Sequence, residues 1–364
     1  MSEGINHEIR YCSFSQDQKY FLIGTKEGCR IYRTFPFAFG FKLGIEGTFS
    51  MVKMFNSSSM FVIVGSLSDK YLTNQEVLVW DDKIKKKIYK FLIKKEVIKL
   101  KLTSEKIIIA CEKLIYIFNA KSFQLIDIIE TGKNEEKLIA VSYKERDILV
   151  YPSKESKNRK LTIKNYKTSN YLYLNPITDG KISHICLSFD GKFLATVINE
   201  NKIEIYLTEK GENLDQLDRK EEKGDKITSI SFSGKRNYFL MSFSKGIIPI
   251  WSMKKAKEAV GEIDENSKAS NIHGMTISYI PILSSILPQS TNEQAFNKAQ
   301  LNDYGKPNYK AVKLGNEEGD KKYLYIITSN GKYFLIEFKD KGEKILNNKG
   351  DFEIKQRKDL FENN

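Results

Sequence analysis

A chain of 364 residues that is 41 % hydrophobic and 12 % aromatic has the material for a large core, so it is no disordered polypeptide, and its length allows two domains or one repeat-built domain. Lys and Arg outnumber Asp and Glu by 59 to 46; the net charge of +13 either attracts polyanions (nucleic acid, acidic protein, anionic membrane) or reflects a lysine-rich background. Four dispersed cysteines (Cys12, Cys29, Cys111, Cys186) lack metal-ligand or redox spacing, the opening MSEGINHEIRYCSFS lacks an apolar signal core, and no run reaches membrane-span length, which together predict reduced thiols in a cytosolic protein.

In chain order, one pattern recurs: an apolar strand, a short polar turn and an alternating strand that ends on an aromatic. It is plain at SFSQDQKYFLIGTKEGCRIY (13–32) and weaker at MFVIVGSLSDKYLTNQEVLVW (60–80), VIKLKLTSEKIIIACEKLIYIF (97–118) and 137–166. It is plain again at LSFDGKFLATVINENKIEIY (187–206), SFSGKRNYFLMSFSKGIIPIW (231–251) and YLYIITSNGKYFLIEF (323–338). The copies end on Tyr32, Trp80, Phe118, Tyr166, Tyr206, Trp251 and Phe338, spaced by roughly 40 to 48 residues except for a last interval about twice as long. That is the period of a four-stranded propeller blade, and about seven such units close a ring without exposed sheet edges. A pair of β-sandwiches or an irregular solenoid is the competing architecture, but neither favours this period over the whole chain. The expectation is an all-β, seven-bladed WD40-like β-propeller over 1–345, with a long blade 6 loop at about 253–310 and a charged tail at 346–364.

Two segments stand apart. QLDRKEEKGDK (216–226) is almost entirely charged, and in isolation reads as a solvated loop. The doubled interval holds MKKAKEAVGEIDENSKASNIHG (253–274) and then the apolar MTISYIPILSSILP (275–288), whose Pro281 and Pro288 disfavour a regular strand or long helix. This segment either packs on its own blade or protrudes towards a membrane or partner.

The order of these pieces resembles the PROPPIN family, WIPI-type seven-bladed propellers that bind phosphoinositides and act in autophagy. The likeness covers nearly the whole chain, through SFSQDQKYFLIGTKEGCRIY, residues 87–131, and LSFDGKFLATV followed by IEIY. The family's Phe/Leu-Arg-Arg-Gly signature falls on Leu217-Asp218-Arg219-Lys220, where Asp218 replaces the first arginine and Lys220 the glycine. The resemblance implies that Arg219, with Lys220 and Lys223, meets a lipid headgroup, that Thr196 and Ser244 lie near the family's hydroxylic positions, and that the Asp218 side of the paired pockets is damaged. A guanidinium grips phosphate oxygens through paired charge-assisted hydrogen bonds, which an aspartate at the same point opposes. The family's small hydroxylic residues after the turn are replaced near Ile198 and Ile247. The resemblance further implies a membrane-inserting blade 6 loop, carried here by Tyr279, Ile280, Ile282, Leu283, Ile286 and Leu287. The implied partners are a phosphoinositide-containing membrane of the PI3P or PI(3,5)P2 type and autophagy or trafficking proteins, at autophagosomal, endosomal or vacuolar membranes. Asp218 keeps open the alternative of a scaffolding propeller that has lost lipid binding.

His184, isolated in a strand, reads as a structural residue. With three histidines and no G-x-S-x-G, H-E-x-x-H or phosphate-cradling glycine loop, the sequence offers no site for catalysis, metal or cofactor. Nor does it show the interleaved aromatic and basic residues of a nucleic-acid platform.

Overall fold

Alternating apolar and polar residues set up the strands, and hydroxyl side chains set the hairpins that join them. After the first strand of a sheet, a Ser or Thr oxygen accepts the N–H that opens or leads into the second. Ser15 accepts from Tyr20 at 3.0 Å, Thr103 from Lys106 at 3.0 Å, Ser142 from Ile148 at 2.8 Å, Ser188 from Phe193 at 2.9 Å and Ser233 from Tyr238 at 3.1 Å. Ser15 and Ser188 also donate to Asp17 and Asp190, each at 2.7 Å, which closes the turn from its other side. Gly191 completes the second of these turns at φ +79°, a conformation that a side chain would strain. The Ser-Phe-Ser and Ser-Phe-Asp-Gly spellings of these turns are therefore hairpin chemistry.

The computed structural model describes residues 9–67, 69, 72–144, 146–154, 159–218, 226–243, 248–262, 277–280, 309–318, 321–329, 331–339 and 352–361. The chain divides into two compact units, Met1–Glu212 and Asn213–Asn364.

The first unit begins with a sheet of β1 (Tyr11–Phe14), β2 (Tyr20–Thr25), β3 (Gly28–Arg33) and β4 (Ala38–Lys42). The second sheet holds β5 (Phe49–Met54), β6 (Met60–Gly65), β7 (Glu76–Asp81) and β8 (Lys86–Leu92). The third holds β9 (Lys99–Leu102), β10 (Lys106–Ala110), β11 (Leu114–Asn119) and β12 (Leu125–Glu130), and the fourth β13 (Ala140–Val141), β14 (Ile148–Pro152), β15 (Leu161–Asn165) and β16 (Asn170–Leu174). Then come β17 (Ile182–Leu187), β18 (Phe193–Ile198) and β19 (Lys202–Leu207), in a sheet whose fourth strand, β20 (Asn213–Asp218), opens the second unit. That unit continues with β21 (Ile227–Phe232), β22 (Tyr238–Phe243), β23 (Ile248–Ser252), the short helix α1 (Lys254–Glu258) and β24 (Ile277–Ile280). Its last sheet holds β25 (Tyr309–Glu318), β26 (Lys321–Thr328), β27 (Lys332–Lys339) and β28 (Phe352–Asp359). Seven four-stranded sheets, each in chain order, make the blades that the period predicts.

The core lies between consecutive sheets. In the first unit Val62, Val64, Val77 and Val79 pack against Leu100, Leu102, Ile107 and Ile109, while Leu138, Ala140, Ile148 and Val150 pack with Ile182, Leu187 and Leu194. In the second, Leu240, Ile248 and Ile250 meet Val312, Leu324, Ile326 and Ile336. Each such buried branched side chain contributes about 1.5–3 kcal/mol of transfer free energy. Polar ties join the third and fourth sheets: the Lys106 ammonium pairs with Asp147 and the Lys164 ammonium with Asp127, and both lie over the Tyr166 ring, at 4.9 and 4.6 Å.

Two boundaries read from the sequence are corrected. The expected charged tail contains β28, which pairs with β27 along Phe338↔Phe352 to Lys332↔Asp359, and Leu360 beyond it is buried. An outer strand meets solvent on much of its surface, so it can be as polar as FEIKQRKD and still complete a sheet. The expected blade 6 loop is interrupted twice. Met253 and Ala256, at 1 % and 0 % exposed, fasten α1 to the unit, and ISYI forms β24, paired through Ile248↔Ile280 to Trp251↔Ile277.

Candidate functional site

The signature stretch begins in the structure as a strand end. Leu217 is 1 % exposed, and Asp218 is the last residue of β20. The strand alternation that buries Leu217 leaves Gln216 exposed on the other face. Arg219, Lys220 and Lys223 lie outside the described residues, as does Ser244; Lys226, where the description resumes ahead of β21, is exposed. Asp215, two residues before Leu217, is nearly buried and accepts the Gln216 N–H at 2.9 Å and the Lys255 ammonium at 2.6 Å. Through that ion pair α1 docks on the outer strand that leads into the signature. Lys255 was not singled out in the sequence. Its mixed-charge context, MKKAKEAVG, reads as a loop, and only the apolar pair Met253 and Ala256 carries a helical signal.

Thr196 is placed differently from a ligand-facing hydroxyl. It sits fully buried in the middle of β18, opposite Ile185 on β17 and Glu204 on β19, with its Oγ1 3.5 Å from the Glu204 carbonyl. Buried there, its hydroxyl presents no surface to a headgroup. Nearby hydroxyls in the sixth sheet also serve the fold: Thr228 and Ser242 share a 2.8 Å hydrogen bond, and Ser229 donates to the Val312 carbonyl at 3.1 Å.

Tyr279 and Ile280, expected in the membrane-inserting loop, belong to β24, where they pair with Pro249 and Ile248. This corrects their assignment. ISYI alternates with period two, and a partner strand was available. Ile282, Leu283, Ile286 and Leu287 fall outside the described residues.

A second missed polar centre lies in the first unit. The Glu204 carboxylate, fully buried in β19, accepts the Thr178 N–H at 2.7 Å, the Ile177 N–H at 3.1 Å and the Tyr206 hydroxyl. It holds the connection between β16 and β17 and satisfies two backbone donors that no strand reaches. Tyr206 ends one of the repeat copies, so the aromatic that marks the repeat also orients this carboxylate.

The sequence model of the anaphase-promoting complex subunit 4 WD40 domain matches residues 133–233. Autophagy-related protein 18 of Komagataella pastoris is 26 % identical over 287 residues, covering 68 % of this chain and 52 % of the relative. Autophagy-related protein 18 of Dictyostelium discoideum is 25 % identical over 198 residues, covering 54 % and 52 %. The chain thus spans about half the length of these two relatives. Among solved structures, Hsv2 of Kluyveromyces marxianus matches with a TM-score of 0.71 at 16 % identity, over 97 % of this chain and 99 % of that one. KlAtg21, solved in complex with the coiled coil of AgAtg16, matches with a TM-score of 0.70 at 15 % identity over the same shares. The structural likeness establishes a seven-bladed β-propeller. With that fold, blades in the expected order and relatives that are autophagy-related proteins, the chain is similar to the PROPPIN propellers.

Proposed function

We propose that this propeller is a membrane-recruitment module: it takes a 3-phosphorylated phosphoinositide headgroup through the Arg219 side of its signature and places autophagy or trafficking proteins on the membrane. The observation that carries the reading is the burial of Leu217 at the end of β20. A buried leucine pins the strand end immediately before Arg219, Lys220 and Lys223, so the chain delivers its cations from a fixed point. Arg219 supplies the bidentate guanidinium, and the two lysines supply point charges. The relatives support the autophagy setting. The KlAtg21 complex makes a coiled-coil protein the first partner to test.

Asp218 favours a second reading, in which lipid binding has been lost and the propeller acts only as a scaffold, because its carboxylate repels phosphate where the family has a guanidinium. Flotation with vesicles that carry different phosphoinositide isomers separates the two. Arg219→Ala is expected to weaken vesicle binding about 10-fold or more, the equivalent of losing a charge-assisted hydrogen bond of about 1.5–3 kcal/mol, with an unchanged melting temperature. Asp218→Arg with Lys220→Gly is expected to strengthen it. Absence of binding by the parent to every isomer, with no gain in the double variant, would leave the scaffold reading in place.

A further inference from the structure

The first strand of the third sheet reads Lys99-Leu100-Lys101-Leu102. Leu100 and Leu102 are buried in the core, so by strand alternation Lys99 and Lys101 share the opposite face, where both are half-buried. In a propeller the first strand of each blade borders the axial channel. Neither ammonium has a hydrogen bond or an ion pair among the described residues. His184, on the first strand of the fifth sheet, is also half-buried, and its Nδ1 is a buried polar atom without a partner among the described residues.

These groups lie close enough to repel one another. Burial pushes the Lys99 ammonium down to about 8, with help from the charges of Lys101 and Lys137. Burial likewise lowers Lys101, against a small opposing effect of Cys186. Burial and then the Lys99 charge push the His184 imidazole down to about 4, and Glu136 is the acid that opposes this. Glu136 is itself held by Lys181 at 2.5 Å, so its charge is largely compensated. The thiol of Cys186 turns to the Leu187 carbonyl at 3.5 Å. Desolvated cations that face one another without a counter-charge destabilise a fold, and such arrangements recur where an anion supplies what is missing.

We infer that Lys99, Lys101 and His184 form a binding site for a small phosphate-class oxyanion, separate from the Leu217–Lys220 stretch. The chemistry matches: two ammonium groups offer several donors each and Nδ1 offers a third direction, which suits the tetrahedral oxygens of a phosphate better than the two oxygens of a carboxylate. A free phosphate or a lipid headgroup could bring those oxygens.

The probe is pyrophosphate, added to the full chain at constant ionic strength. The chain has three histidines, so His184→Gln identifies the His184 ring signals in the NMR spectrum. Pyrophosphate is expected to shift those signals saturably, to raise the imidazole towards its ordinary titration range, and to raise the melting temperature above that in matched chloride. Lys99→Met with Lys101→Met is expected to abolish both responses while melting no lower than the parent in the absence of anion. Lys99→Met alone, the milder variant, is expected to weaken pyrophosphate binding about 10-fold, the loss of one charge-assisted contact. Reduced flotation of the double variant with phosphoinositide vesicles assigns the site to a lipid headgroup; unchanged flotation assigns it to a free anion. An unshifted His184 signal at millimolar pyrophosphate, a full anion response in the double variant, or a lower melting temperature of that variant without anion would overturn the inference.

Discussion

At Asp82 one nearly buried carboxylate accepts the Gly44 N–H at 2.7 Å, the Trp80 indole N–H at 3.0 Å and the Lys85 ammonium at 2.6 Å. Burial pushes its carboxyl up, but Lys85, Trp80 and Gly44 outweigh burial and hold it below the ordinary carboxylate range. A carboxyl depressed in the folded state contributes stability that is complete above its unfolded value, about 4, and is lost as pH falls through the folded value. Asp82→Asn is therefore expected to cost about 1–3 kcal/mol at pH 7 in denaturant melts, with the gap to the parent narrowing as the pH drops below about 4. A constant gap from pH 7 to pH 2 would mean that the loss is geometric and owes nothing to the charge. Leu217 makes the complementary case at the signature. Leu217→Ala removes a buried side chain and is expected to cost about 2–5 kcal/mol, whereas Arg219→Ala costs none, so paired melts distinguish the strand anchor from the ligand contact.

Among the described residues, the outer strands β4, β8, β12 and β16 are largely exposed. β8 is exposed along most of KKIYKFL, and β12 exposes Leu125, Ile126 and Ile128. β28 belongs to the same class, tied to β27 by the Lys332–Asp359 and Lys355–Glu337 ion pairs and closed by the Leu360 N–H on the Gly331 carbonyl at 2.8 Å. Deleting residues 346–364 strips β27 of its partner, opens its row of backbone donors and acceptors, and uncovers the pocket that Leu360 fills. The truncated chain is expected to lose several kcal/mol of stability, on the order of one buried leucine plus a ladder of hydrogen bonds, and to self-associate on size exclusion. A monomer that melts like the parent would show that the segment is dispensable.

For the whole molecule, the net charge of +13 and the apolar residues after β24 give membrane association two parts with different physics. Attraction of Lys and Arg to anionic lipid is screened with a Debye length of about 8 Å at physiological salt, while burial of apolar area is not. Binding to phosphoinositide vesicles is expected to fall with salt but not to vanish. Ile282→Ser with Leu283→Ser is expected to remove the salt-resistant remainder without lowering the melting temperature. Ile280 is left out of this pair, because its backbone belongs to the β24 ladder. A double variant that binds like the parent at every salt concentration would exclude insertion by this segment. One that melts several degrees lower would place Ile282 and Leu283 in a core.

The chain by itself determined the repeat. Apolar alternation and terminal aromatics such as Tyr32, Tyr206 and Trp251 are local features, and they recur along the chain because each sheet must bury its faces. The likeness of Leu217-Asp218-Arg219-Lys220 to the family signature rests on four consecutive residues, and so could be read from the sequence as an expectation. What depends on partners far away in sequence was decided by tertiary structure. β24 and β28 are strands because β23 and β27 offer them an edge, which neither composition nor period announces. The Thr196 hydroxyl faces a backbone carbonyl because β19 runs beside it, and Asp215 holds Lys255 because α1 folds back onto β20. Lys99 and Lys101 look like solvated charges in the alternation KLKL. Only the strands packed around them take their water away and bring His184 within reach, because desolvation and Coulomb repulsion depend on distances in space and not on spacing along the chain.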